Sequence, residues 1–152
     1  MTEREHLAMA SVPAQSWGEL YDPKQALKTG TIFKDLNLPF FAAEDLAIPV
    51  VPAGEAGKDP KQREREELLG KIQEISFYLD DLRLYLDTHP EEPEGLSELK
   101  KALKQRKQLL KEFAVSFYPL TFDCLAGIYE EEPERQCFCW EKGPAPWEGA
   151  CV

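Results

Sequence analysis

The run Leu79-Asp80-Asp81-Leu82-Arg83-Leu84-Tyr85-Leu86-Asp87-Thr88-His89-Pro90 closes one amphipathic stripe and leads into a second. Apolar residues fall at Leu68, Ile72, Ile75, Leu79, Leu82 and Leu86. Steps of four and three keep them on one face of an α-helix. Downstream, Leu96, Leu99, Leu103, Leu110, Phe113 and Phe117 trace another stripe, which Arg106 interrupts. Two such stripes joined by a short polar turn can bury each other as an antiparallel hairpin.

The turn chemistry agrees with this reading. Thr88 or His89 can cap the second helix, with Pro90 at its first position, where no backbone donor is missed. Glu91, Glu92 and Glu94 then sit near the positive end of the helix dipole. Pro93 and Gly95 weaken this start, so regular helix is expected nearer Leu96. Charge divides the two helices. Residues 64–87 hold seven acids against three bases, and residues 96–118 hold six bases against two acids. Opposite charge favours pairing of these two helices over like with like, although each exposed pair adds only about 0.2–1 kcal/mol. Leu69, Phe77, Tyr78, Leu84 and Tyr85 lie off the main stripe and offer a second apolar face. Either the N-terminal segment or a partner is expected to cover it.

That N-terminal segment is aromatic and aperiodic. It contains Trp17, Leu20, Tyr21, Ile32, Phe33, Leu36, Phe40 and Phe41, and only one short helix reads clearly. Asp22 caps it, Pro23 takes the first position, Gln25 completes a capping-box arrangement and Gly30 ends it. About 35 residues cannot bury so much aromatic surface alone, so the segment is expected to dock on something larger. Residues 1–6 read as a mobile polar tip. Residues 42–63, with Pro49, Pro52, Gly54, Gly57 and Pro60, read as a solvated linker ending in a charge run.

Past Tyr118-Pro119 the stripe stops. The remainder lacks periodicity and reads as draped or disordered until bound. Its Trp140 and Trp147, with Pro144 and Pro146, form a candidate anchoring patch. All four cysteines (Cys124, Cys137, Cys139 and Cys151) lie here. Cys137 and Cys139 are separated by one residue, Phe138, which is not the spacing of a zinc knuckle. The readings left open are thiols without a specific role, intermolecular cross-links through Cys137 and Cys139, and a redox- or metal-responsive pair.

Nothing in the chain reads as catalytic. It has no glycine-rich phosphate loop and no nucleophile elbow. Its two histidines, His6 and His89, lack the Glu-x-x-His spacing of a di-metal bundle. No cofactor and no metal site is therefore expected. The net charge of −10 opposes a nucleic-acid partner and an anionic membrane surface. No run of about 18 apolar residues is present to span a bilayer. The first residues, Met1-Thr2-Glu3-Arg4-Glu5-His6, do not read as a signal peptide, and synthesis and use in a cytoplasm are expected.

Two stretches match known families. Leu84-Tyr85-Leu86-Asp87-Thr88-His89-Pro90, followed by Arg106-Lys107-Gln108-Leu109 and Phe117-Tyr118-Pro119-Leu120, resembles the CotJB spore coat proteins of endospore-forming bacteria. Leu7-Ala8-Met9-Ala10, Val12-Pro13, Gln15, Trp17, Tyr21, Pro23, Ala26-Leu27, Gly30-Thr31-Ile32-Phe33, Leu36 and Pro39-Phe40 resemble the small CotJA coat-associated proteins. Ser11, Ala14 and Lys34 depart from the CotJA pattern, where an aromatic, a Trp and a Pro are usual. The end of the tail also departs from the CotJB pattern.

The resemblance implies a fusion of two usually separate polypeptides, which in these families accompany a manganese-catalase-like (CotJC-like) coat protein. The expected fold is mainly α, a long antiparallel two-helix hairpin with a largely irregular aromatic N-terminal segment and an irregular Trp/Pro/Cys tail. The expected organisation is a CotJA-like segment at 7–41, a linker at 42–63, a CotJB-like hairpin at 64–120 and the tail at 121–152. The expected function is structural: assembly of the spore coat from the mother-cell cytoplasm, through contacts with other coat proteins, with self-association open. An accessory role beside the catalase-like protein and a cysteine-based redox or metal response are the alternatives. The candidate interaction residues are Trp17, Tyr21, Phe33, Phe40, Phe77, Tyr85, His89, Trp140 and Trp147. Of these, His89 reads first as a cap or turn residue rather than a ligand.

Overall fold

The computed structural model describes residues 14–38 and 59–143. Expectations for the polar tip, Phe40, Phe41, most of the linker, Pro144, Pro146, Trp147 and Cys151 lie outside the described residues. Among the described residues four α-helices follow in order: α1 (Pro23–Thr29), α2 (Pro60–Thr88), α3 (Pro93–Ser116) and α4 (Cys124–Glu131). The same residues include two 3-10 turns, Lys34–Leu36 and Cys139–Lys142.

Helix α2 buries Leu68, Ile72, Ile75, Leu79 and Leu82 against α3, as their spacing requires. Its partner seam differs from the expected one. On α3 the buried residues are Gly95, Ala102, Phe113 and Ala114, with Leu99, Arg106 and Leu109 half-buried. Leu103, expected in the stripe, is 51% exposed. The helix turns its small residue Ala102 inward, which lets the two backbones approach. Arg106 does not break the seam but crosses it, donating from Nε to Ser76 Oγ at 3.0 Å. This polar contact lies between one apolar cluster around Leu79, Leu82 and Ala102 and another around Leu68, Ile72 and Phe113, which Leu109 joins.

The turn is also re-read. Helix α2 runs through Thr88, whose hydroxyl donates to the Tyr85 carbonyl at 3.0 Å, and His89 is its C-cap. Helix α3 starts at Pro93 with Glu92 as its N-cap. Pro93, not Pro90, takes the first helical position, while Pro90 and Glu91 form the turn closed by Glu92 N–H donating to the His89 carbonyl. Gly95 lies inside the helix, where any side chain would force Leu86 or Trp17 to shift. A Cβ on it would meet Leu86 Cδ2 at 2.9 Å and Trp17 Cζ3 at 3.2 Å.

Helix α1 follows its sequence signals. Asp22 Oδ1 accepts from Gln25 N–H at 3.1 Å, Pro23 opens the helix, and Gly30 closes it at φ 83°, a left-handed conformation that glycine adopts without strain. Residues flanking α1 pair across it. Tyr21 N–H donates to the Ile32 carbonyl at 2.8 Å and Lys34 N–H to the Glu19 carbonyl at 3.0 Å, around an antiparallel bridge between Leu20 and Phe33.

The C-terminal region is more ordered than its lack of periodicity suggested. Helix α4 packs on α3 through Leu125 and Ile128 against Ala114, with Cys139 buried beside them. The Lys111–Glu131 ion pair, at 2.9 Å, joins α3 to α4.

The re-read seam makes a direct prediction. Leu82 is 0% exposed, so Leu82→Ala should cost about 2–5 kcal/mol. Leu103→Ala should change stability by less than about 0.5 kcal/mol. Urea unfolding followed by circular dichroism measures both. Equal costs would restore Leu103 to the seam.

Candidate interaction site

Part of the second apolar face of α2 is covered by the chain's own N-terminal segment, which packs on Phe77, Tyr78 and Tyr85; Leu84 stays 62% exposed and Leu69 joins the cluster around Phe113. Tyr78 and Tyr85, on that face, are buried against Trp17, Leu20, Tyr21, Ala26, Ile32 and Phe33. Trp17, Phe33 and Tyr85 form a closed aromatic triangle. Its ring centroids lie 5.8 Å (Trp17–Phe33), 5.4 Å (Trp17–Tyr85) and 5.0 Å (Phe33–Tyr85) apart. The first two contacts are edge-on, the geometry that ring quadrupoles favour. His89 stacks flat on Tyr85 at 4.3 Å, and its Nδ1 lies 3.2 Å from the Tyr85 carbonyl. His89, expected to cap the start of α3, instead closes α2 as its C-cap and extends the aromatic cluster.

Polar groups fix the docking position. Asp81 Oδ2 accepts from Ile32 N–H at 2.8 Å and from Thr31 Oγ1 at 3.1 Å. Thr31 and Ile32 are buried, so their donors would lose hydrogen-bond partners without this carboxylate. Sequence reading counted Asp81 only as part of the acidic helix. The available signal was positional: Asp81 falls between Tyr78 and Tyr85 at steps of three and four, a lone carboxylate on an aromatic face. At the outer edge, Lys34 Nζ pairs with Glu19 Oε2 at 2.8 Å, and Asn37 Nδ2 donates to Tyr21 Oη at 3.1 Å. Both are exposed and contribute little.

The remaining candidates are dispersed. Phe77 is half-buried beside the same cluster. Trp140 sits at the opposite end of the hairpin, 42% exposed, with its ring 6.3 Å from Phe122. Cys137 and Cys139 lie on that side as well, the first exposed and the second buried. Phe40 and Trp147 are outside the described residues.

The chemistry of the dock is that of binding. Burial pushes the Tyr78 hydroxyl up to about 12, with the Glu98 carboxylate adding to the effect. Burial likewise raises Tyr85, whose hydroxyl donates to Glu92 Oε2 at 3.5 Å. A cleft of ≈ 320 Å³ opens beside Tyr78, lined by Tyr21, Pro23, Glu98, Lys101 and Gln105 among others. Among the described residues, no group of three or more His, Cys, Asp or Glu side chains is placed to hold a metal ion. No helix among them is long and apolar enough to cross a membrane.

Comparison with known proteins divides the chain at this dock. Residues 66–148 match the family model described as CotJB protein. Residues 6–40 match that of spore coat associated protein JA (CotJA). No curated protein and no solved structure gives a significant match. The described part of the CotJA match is thus the segment that Asp81, within the CotJB match, holds in place.

Two predictions follow from the geometry. Asp81→Ala leaves the buried Ile32 N–H without its acceptor and should cost about 2 kcal/mol. In a chain whose only tryptophan is Trp17, with Trp140 and Trp147 replaced by Phe, the emission should shift to the red. An unshifted spectrum and unchanged melting temperature would mean that apolar contacts alone hold the segment. The second concerns pH. The unfolded chain ionises Tyr78 near the ordinary tyrosine value of 10.0, while the folded chain holds its proton to about 12. Its contribution is complete below pH 10 and is lost as pH rises through that window. At about pH 11 the loss should be on the order of 1 kcal/mol. Tyr78→Phe should remove that part of the alkaline decline in melting temperature, and an identical decline in the variant would refute the assignment.

Proposed function

Because the chain belongs to the CotJB family and carries a CotJA segment ahead of it, we propose that it is an assembly protein of the endospore coat. It acts through protein–protein contact and not through catalysis. Both families are spore coat associated, which places the chain in the coat. In this reading residues 7–41 form the CotJA-like unit, 42–63 the connector, whose last four residues already belong to α2, 64–120 the hairpin scaffold and 121–152 a tail that reaches other coat components.

The observation that carries the reading is the dock itself. Asp81 and the Trp17–Phe33–Tyr85 triangle join the two family segments through one buried polar contact and one aromatic core. Segments that must find each other gain effective concentration when tethered. A fused chain therefore presents both as a single preassembled surface. The partner we propose is the manganese-catalase-like coat protein that accompanies these families, met through side chains such as Phe77, half-exposed at the edge of the dock, and Trp140.

Co-expression with that partner, followed by size-exclusion chromatography with light scattering, tests the proposal. A stable co-eluting complex is the expected result. Separate elution, with this chain forming large species alone, would replace partner docking by self-assembly.

A further inference from the structure

Beyond α4, two thiols converge in a way that coat assembly does not explain. Cys137 Sγ and Cys139 Sγ are 3.3 Å apart. Side chains at i and i+2 share a side when the residue between them is extended. Phe138 has that backbone, φ −79° and ψ 92°, and its own ring is 55% exposed. Tyr129 on α4 braces the turn from beneath. Its hydroxyl donates to the Cys137 carbonyl at 2.9 Å and accepts from Cys139 N–H at 3.5 Å. One hydroxyl thus holds the backbone of both cysteines.

The two sulfurs stand in different surroundings. Cys137 is exposed, whereas Cys139 is 1% exposed and packs against Ala114, Leu125 and Ile128. An accessible thiol backed by a shielded one within contact distance divides the labour of thiol–disulfide exchange: one attacks, the other resolves. Phe122 and Trp140 expose apolar rings on the same end of the molecule, at 67% and 42%.

We propose that Cys137 and Cys139 are a thiol–disulfide exchange site whose substrate is an accessible disulfide. Cys137, as its thiolate, attacks one sulfur of the incoming disulfide. The new S–S bond forms, the incoming bond breaks, and the departing thiolate takes up a proton equivalent to the one Cys137 released. Cys139, having lost its proton to solvent, then attacks the Cys137 sulfur. The Cys137–Cys139 bond forms, the mixed disulfide breaks, and the second thiolate leaves and is protonated. Two protein thiols are oxidised to one disulfide, and the incoming disulfide is reduced to two thiols. Tyr129 is a positioning residue for the second step, since it holds the turn that brings Cys139 onto Cys137.

The test uses the full chain with Cys124 and Cys151 replaced by Ser, and glutathione disulfide as probe. Acid-quenched samples are read by intact mass and peptide mapping. The expected product carries a Cys137–Cys139 disulfide and no retained glutathione. Cys139→Ser should stop at one glutathione on Cys137. Cys137→Ser should react about tenfold more slowly, because the remaining thiol is buried. Tyr129→Phe should accept glutathione at the normal rate but accumulate the mixed disulfide. Two stable glutathione adducts on the intact pair would overturn the proposal, whatever the variants do. Equal reaction rates of Cys137→Ser and Cys139→Ser would overturn it as well.

Discussion

The Asp81 carboxylate lies on an aromatic helix face and accepts two hydrogen bonds from a segment about fifty residues upstream. Apolar burial is non-directional, so Trp17, Phe33 and Tyr85 by themselves would admit several sliding arrangements. A half-buried carboxylate admits few, because its oxygens and the facing donors must satisfy one another. The contact sets the position of Ile32, and the short antiparallel pairing of Leu20 with Phe33 carries that position back to Trp17. From there Trp17 reaches Gly95, where α3 begins. One polar interaction thereby couples the N-terminal segment, the body of α2 and the start of the returning helix.

The hairpin beneath uses a related device. Its α3 seam is built from the small residues Gly95 and Ala102, together with Phe113. Such a seam permits close approach but says little about register. The Arg106–Ser76 hydrogen bond favours one register, because a one-turn slip would break it. The excess of acid on α2 and of base on α3 contributes less. Lys71–Glu67, Arg83–Asp80 and Lys101–Glu98 pair along single helices and are largely exposed, so each is worth only a fraction of a kcal/mol.

This construction bears on a chain in which two spore coat families meet. A CotJA segment that carries its own aromatic residues and a CotJB hairpin with a receptive face are complementary halves of one core. The face they share is consumed by the dock, and proposed contacts with further coat proteins fall to its edge and to other surfaces. The opposite end of the hairpin, with Trp140, Phe122 and the cysteine pair, is chemically unlike the dock. Its exposed rings and adjacent thiols suit contact followed by covalent exchange, whereas the buried triangle suits permanent packing.

Much of this was legible in the sequence. The two helices, the cap and glycine stop of α1, the surplus aromatic surface of residues 14–38 and the family resemblance all follow from local spacing and composition. These are properties that residues carry wherever they are placed. Tertiary structure decided what depends on facing surfaces. It chose Ala102 over Leu103 for the seam, because close packing rewards fit and not side-chain size. It started α3 at Pro93 and not at Pro90, because α2 runs on through Thr88 and leaves Pro90 and Glu91 to make the turn. It ordered α4, whose short apolar pattern is stable only against Ala114. It also gave Asp81, an ordinary acid in the linear chain, its role, since only folding brings Thr31 and Ile32 within reach. Periodicity reports which side of a helix avoids water, while the partner on that side is known only once the chain has closed on itself.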